Sequence, residues 1–122
     1  NTSSRYFLLM HMATQDSTLQ FLVEQVSGAG LVRARKMFGE YALYCNEKVV
    51  ALICDDQLFL KPTEAGRAFA GPLEEAQAYP GSSLFLLVEE DRWEDREWIT
   101  ELIRITAEEL PVPKPKKPKK KN

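Results

Sequence analysis

Apolar residues between 17 and 28 recur with the spacing of one helix face. Leu19, Leu22, Val23 and Val26 fall at i, i+3, i+4 and i+7. Ser17 followed by Gln20 makes a capping box, and Gly28 and Gly30 supply a stop, so the pattern predicts a helix over 17–28. From 31 to 61 the period shortens to two. Apolar runs over 41–45, 48–54 and 58–61 are separated by Asn46-Glu47 and Asp55-Asp56, residues that tolerate the left-handed backbone of two-residue turns. A run over 31–38 adds a strand before them, which gives an antiparallel meander. With tight turns Leu43 faces Val50, Tyr41 faces Leu52, Gly39 faces Cys54, and Phe59 lies across from Leu52. The opposite face then carries Ala42, Tyr44, Val49, Ala51, Ile53, Leu58 and Leu60. Both faces read as apolar, whereas a free antiparallel sheet wets one side. Either helices cover both faces, or one face forms a dimer.

Pro62 ends the meander. Thr63 caps a short helix over 64–70, with Ala65, Ala68 and Phe69 inward and Gly71-Pro72 closing it. Residues 72–82 read as loop, with a turn at Tyr79-Pro80-Gly81-Ser82. Residues 83–88 form a continuous apolar run of strand length. Asp91, with Glu94 three residues on, opens a last helix whose stripe is Ile99, Leu102, Ile103, Thr106 and Leu110, and Pro111 and Pro113 end it. The order predicts an α+β fold: an antiparallel β-meander packed with an N-terminal and a C-terminal helix.

At 122 residues the chain has material for one domain, and 44% hydrophobic with 28% charged residues excludes collagen-like, fully disordered and membrane-spanning classes. No apolar run approaches the roughly 20 residues of a spanning helix, so no membrane partner is expected. The net charge of −2 hides a split. Residues 111–122 hold six of the 16 basic residues and no acid, which leaves ten basic against 18 acidic side chains, a net of −8, in residues 1–110. The expected organisation is a leader over 1–12, an α+β domain over 13–110 and a disordered basic Pro/Lys tail over 111–122. His11-Met12 resembles the scar of a cloning site, and Met12 is the expected native start. Cys45 and Cys54 are too few for a disulfide scaffold, and the register separates them by roughly 20 Å, so two free thiols and a reduced, cytoplasmic setting are expected.

The segment Met37-Phe38-Gly39-Glu40-Tyr41-Ala42-Leu43-Tyr44 resembles the Met-Phe-Gly-Gly-Tyr-Gly-Leu-Tyr hallmark of the TfoX/Sxy N-terminal domain family. Arg33 and Lys36 precede it as in that family, and Gln57-Leu58-Phe59-Leu60-Lys61-Pro62 is similar to its leucine-aromatic-leucine-lysine strand. Phe69, Tyr79-Pro80 and a tryptophan-bearing last helix follow in the same order, so the likeness spans about residues 17–108. Glu40 and Ala42 depart from it, standing where the family usually has glycine. The resemblance implies a YjbR-like or secretion-chaperone-like α+β module. It also implies kinship with regulators of DNA-uptake genes that act with a transcription activator. Those regulators carry a second, C-terminal helical domain, and the likeness here is to the N-terminal domain alone. No catalytic residues come with it.

Read from the residues themselves, Gly39 suits a bulge or a close strand approach, with Met37, Phe38, Tyr41 and Leu43 as apolar anchors and Phe38 buried. Arg33, Arg35 and Lys36 form a small basic cluster, with Arg33 and Arg35 on one face of their strand. The cluster suits a phosphate or an acidic partner, or salt bridges to the acidic body. Lys114, Lys116, Lys117, Lys119, Lys120 and Lys121 can neutralise phosphates without reading sequence. No nucleophile–base pair, Gly-rich phosphate loop or metal-ligand spacing is present, and Asp55-Asp56 reads as a solvated turn. The expected function is a non-enzymatic, cofactor-free protein-interaction module, of transcription- or competence-regulator type by resemblance. It would act on an unidentified protein partner or as a homodimer built on a sheet face or edge. The alternative is a nucleic-acid-binding protein using the tail and the Arg33 cluster.

Overall fold

Two tight turns set the sheet. Asn46 and Glu47 (φ 54° and 70°) and Asp55 and Asp56 (φ 54° and 59°) all adopt left-handed backbone, as a type I′ hairpin connection requires at both central positions. The computed structural model describes residues 14–37 and 40–112. Within them run α1 (Asp16–Gln25), β1 (Val32–Met37), β2 (Glu40–Cys45), β3 (Lys48–Cys54), β4 (Gln57–Leu60), α2 (Glu64–Ala70), β5 (Glu75–Gln77), β6 (Leu84–Val88) and α3 (Arg96–Glu109). The strands form one antiparallel sheet in the order β1-β2-β3-β4-β6-β5. This is the expected α+β meander with a helix at each end. One strand was not foreseen: β5 lies inside the expected loop over 72–82, where its short polar-flanked sequence gives no alternation to read.

Side chains tie each turn to an earlier part of the chain. The Asn46 side-chain oxygen accepts from Leu31 N (2.9 Å) and its own N–H donates to the Leu31 carbonyl (2.8 Å). At the next turn, Asp56 accepts from Gln15 N (2.8 Å) and its N–H donates to the Thr14 hydroxyl (3.3 Å).

The register departs from the straight hairpin in one place. Cys45 pairs with Lys48 and Tyr44 with Val49, but Leu43 then pairs with Ala51, Ala42 with Leu52 and Tyr41 with Ile53. Val50 is the extra residue of a β-bulge, and it is buried beside Ala51, so two successive residues are covered. The expected pairings Leu43–Val50 and Tyr41–Leu52 are therefore each off by one. The Leu52–Phe59 pairing stands as expected. Nothing polar in β3 marks the slip, because both faces of the strand are apolar.

All three helices cover one face. Leu22 and Val26 of α1, and Ile99, Leu102, Ile103 and Ala107 of α3, pack on Leu43, Ala51, Ile53, Leu58, Leu60, Leu86 and Val88, with Ala70 of α2 at the margin. Among the described residues no helix lies on the other face, so helices on both faces, one of the two expected arrangements, are not seen. Among the described residues no helix is long and apolar enough to cross a membrane.

The helix ends differ from expectation for identifiable reasons. α1 starts at Asp16, so Ser17 lies inside the first turn instead of capping it. The chain is already pinned at Thr14 and Gln15 by the β3–β4 turn. α1 stops at Gln25, whose side chain donates to the Trp93 carbonyl (2.9 Å) while its own carbonyl accepts from Thr100 (2.9 Å). A 3₁₀ turn over Ser27–Ala29 follows. The last helix opens at Arg96, not after Asp91. The buried Trp93 indole donates to the Val88 carbonyl (2.9 Å) and holds residues 90–92 in a 3₁₀ turn, so Asp95 becomes the cap, accepting from Trp98 N (3.2 Å). In α2, Thr63 caps Gly66 N (2.9 Å) as expected, and Glu109 of α3 accepts from Glu64 N and Ala65 N. Ala65, Ala68 and Phe69 are exposed, however, and Gly66 is the buried residue. Phe69 stacks on Trp98 at the surface, ring centroids 6.2 Å apart.

Gly66 allows this close helix contact. A Cβ there would sit 2.7 Å from Thr63 Oγ1 and 3.2 Å from Thr106 Oγ1. Alanine gains about 1 kcal/mol over glycine in a helix. Displacing the cap costs about 0.5–2 kcal/mol, and overpacking costs about 1–3 kcal/mol. The losses exceed the gain. We predict that Gly66→Ala lowers the stability measured by urea denaturation by about 1–3 kcal/mol, and an unchanged or raised midpoint would contradict this packing.

Candidate functional site

The sheet face that no described helix covers carries the site. Because of the bulge, Leu52 and Cys54 of β3 turn to this side, beside Phe59 of β4 and Phe85 and Leu87 of β6. Ala76 and Ala78 are too small to roof them. A cavity of about 620 Å³ opens here, bounded by Met37, Leu52, Cys54, Tyr79 and Phe85, with Glu40, Tyr41 and Lys61 completing its wall. Met37 and Tyr79 stay 41% and 54% exposed, so the rim itself is apolar.

The polar groups at this cavity differ in how they are used. Glu40 Oε1 accepts from the Thr14 hydroxyl (2.7 Å) and from Asp55 N (3.2 Å), which joins the start of β2, the β3–β4 turn and the chain before α1. The Ile53 carbonyl lies 3.1 Å from the same hydroxyl. Lys61 is half-buried; its backbone N–H donates to the Val50 carbonyl (2.8 Å), at the bulge, and its ammonium group forms no ion pair among the described residues. Cys54 is 5% exposed. Burial, reinforced by the negative charges of Glu40 and Asp55, pushes its thiol up to about 11. Burial also raises Cys45, which Lys48 partly offsets. Both thiols are free, and neither is an activated nucleophile.

The residues singled out from the sequence do not form one patch. Met37 and Lys61 meet at the cavity, and Phe59 lies in the small cluster beneath it. Leu43, Leu58 and Leu60 point the other way into the helix-covered core, with Tyr41 packed against it. Tyr44 lies under the Arg33 guanidinium (4.3 Å to the ring centroid). Phe38 and Gly39, and the lysines of the tail, fall outside the described residues. Within the basic cluster, Arg33 pairs with Glu47 (3.1 Å), which is the salt-bridge outcome. Arg33 and Arg35 share a face as expected, and Lys36 takes the other; Arg35 and Lys36 form no ion pair among the described residues. Among those residues, too, no three His, Cys, Asp or Glu side chains converge as a metal site. Leu52, Cys54, Tyr79 and Phe85 were not read as site residues, since they come from three separate segments.

The raised Cys54 thiol fixes a pH response. The folded protein keeps this proton to about pH 11, while the unfolded chain releases it from about pH 9. Its contribution to stability is therefore complete below pH 9 and lost as pH rises through 11. We predict that the stability difference between wild type and Cys54→Ala shrinks over that window, by at most about 2–3 kcal/mol. Native protein at pH 8 should resist iodoacetamide at both cysteines until it is unfolded; rapid labelling of Cys54 would contradict its burial.

Comparison with known proteins agrees with this framework of strands. The model of the TfoX N-terminal domain matches residues 24–110, from the end of α1 to just past α3. The chain is also 46% identical over 110 residues to the uncharacterized 12.7 kDa protein in the trpE 5′ region of Spirochaeta aurantia, across 90% of this chain and 95% of that one. With the octapeptide of β1 and β2 and the Leu-Phe-Leu-Lys segment of β4 both inside the matched span, the chain belongs to the TfoX N-terminal domain family.

Proposed function

We propose that this protein is a non-enzymatic interaction module that receives an acidic protein partner along the free edge of β1. The observation that carries the proposal is the state of that edge. Among the described residues β1 ends the sheet, its residues from Arg35 to Met37 are exposed, and Arg35 and Lys36 are unpaired in a body that is otherwise acidic. An open edge offers a row of backbone donors and acceptors to an added strand. Three basic residues in a six-residue strand repel a second copy of the same strand, so an acidic segment fits this edge better than self-pairing does. A regulatory role of the transcription- or competence-type follows from family membership by analogy.

A second reading is nucleic-acid contact, favoured by Arg33 and Arg35 lying exposed on one face. Phosphates would release counterions and make the affinity fall steeply with salt. Arg33 is already held by Glu47 and Tyr44, and acidic surroundings oppose the approach of a duplex.

Charge reversal separates the two. In a pull-down from cells of the source organism, capture should survive nuclease treatment and be lost in the Arg35→Glu/Lys36→Glu variant. The variant's melting temperature should stay within a few degrees of wild type, because both side chains are exposed and unpaired. The intact protein should show no duplex affinity at physiological salt. Capture that disappears with nuclease, or salt-dependent duplex binding lost in the variant, would replace this reading with the nucleic-acid one.

A further inference from the structure

The cavity on the helix-free face has a built asymmetry. Its middle is apolar: Leu52 and Cys54 form the floor and Phe85, Met37 and Tyr79 the sides. Among the described residues its charge is confined to two places. Glu40 stands level with Cys54, since it begins β2 where Tyr41 pairs with Ile53. Lys61 stands level with Val50, to whose carbonyl it is bonded. Four residues of β3 separate those levels, about 13 Å at about 3.3 Å per residue. The Glu40 carboxylate is engaged by Thr14 and Asp55. The Lys61 ammonium has no carboxylate partner among the described residues, although the body is rich in acids.

We infer that this cavity binds a small amphiphilic anion, with a carboxylate head at Lys61 and an unbranched or flat apolar body lying over Leu52 toward Cys54. The volume of about 620 Å³ falls in the range of small-molecule sites, which are mostly apolar with a few placed polar groups. The head carries a single charge. Among the described residues one lysine lines the cavity, and no helix N-terminus or second cation lines it to hold a phosphate. The body is apolar because a polar one would leave its own groups unpaired against Leu52, Phe85 and Met37. Cys54, protonated and 5% exposed, acts there as a small apolar wall and not as a nucleophile.

The test uses the full chain titrated with decanoate, decanol and butyrate below their micelle concentrations, followed by calorimetry and by the Met37 methyl resonance. Decanoate should bind saturably at one site and shift that methyl. Decanol, with the same chain and no charge, should bind about tenfold more weakly, since it forfeits a charge-assisted contact. Butyrate, lacking the apolar body, should not bind measurably. Lys61→Met keeps the stem's length and should bring decanoate down to the level of decanol without changing decanol. Leu52→Trp, filling the floor, should remove both. Absence of saturable decanoate binding to the wild type overturns the inference. So does equal affinity for decanoate and decanol, a comparison that needs no variant to fold.

Discussion

The extra residue at Val50 decides what each face of this sheet is made of. A strand presents alternate residues to opposite faces, so a slip of one position exchanges them all. If β2 and β3 ran in the register that their turn alone dictates, Leu52 and Cys54 would join Leu43 and Tyr41 under the helices, and Ala51 and Ile53 would face away. The bulge reverses this. Leu43, Ala51, Ile53, Leu58 and Leu60 align beneath α1 and α3, and Leu52, Cys54 and Phe59 are left on the other side. The core and the cavity are two consequences of one inserted residue.

The bulge also explains how far the sequence could be read. The two turns were legible because Asn and Asp accept left-handed backbone, and the bounds of β3 and α2 followed from them and from Thr63. What could not be read was the phase. Lys48 to Cys54 is apolar at nearly every position, so no polar residue marks which side is wet. Similarly, Gly66 looks like a weak point in a short helix, whereas it is the position where α2 touches α3. Asp91 suits a cap, but the helix start is moved to Asp95 by Trp93, whose indole is held by the Val88 carbonyl and whose own carbonyl accepts from Gln25, 68 residues away.

The octapeptide shows why a motif is not a site. Its described residues alternate between the helix-covered core and the open face, so its pattern serves the pairing of β1 with β2 first of all. Among its described residues Met37 at one end lies at the cavity together with Glu40 and Tyr41. Glu40 stands where the family usually has glycine, and here it does a specific job. Its carboxylate binds the first described residue of the chain to the β3–β4 turn, and its charge helps keep the Cys54 thiol protonated.

The distribution of paired cations argues in the same direction as the sheet. Arg67 pairs with Glu75 and Arg104 with Glu101 and Glu108. Arg92 lies over Trp98, and Lys48 donates to the Ala107 carbonyl near the C-terminus of α3, where a cation is favoured. Such surface pairs add little stability, but they show that an acid-rich surface readily supplies partners to the cations it carries. Among the described residues Arg35 and Lys36 on the β1 edge and Lys61 at the cavity go without, as does Arg96 at the start of α3. Met37 ends the edge strand and forms the cavity rim at the Glu40 end, opposite Lys61. Arg35 and Lys61 lie on the sheet face that no described helix covers, beside its apolar cavity, and a partner carrying negative charge beside an apolar group is complementary to both.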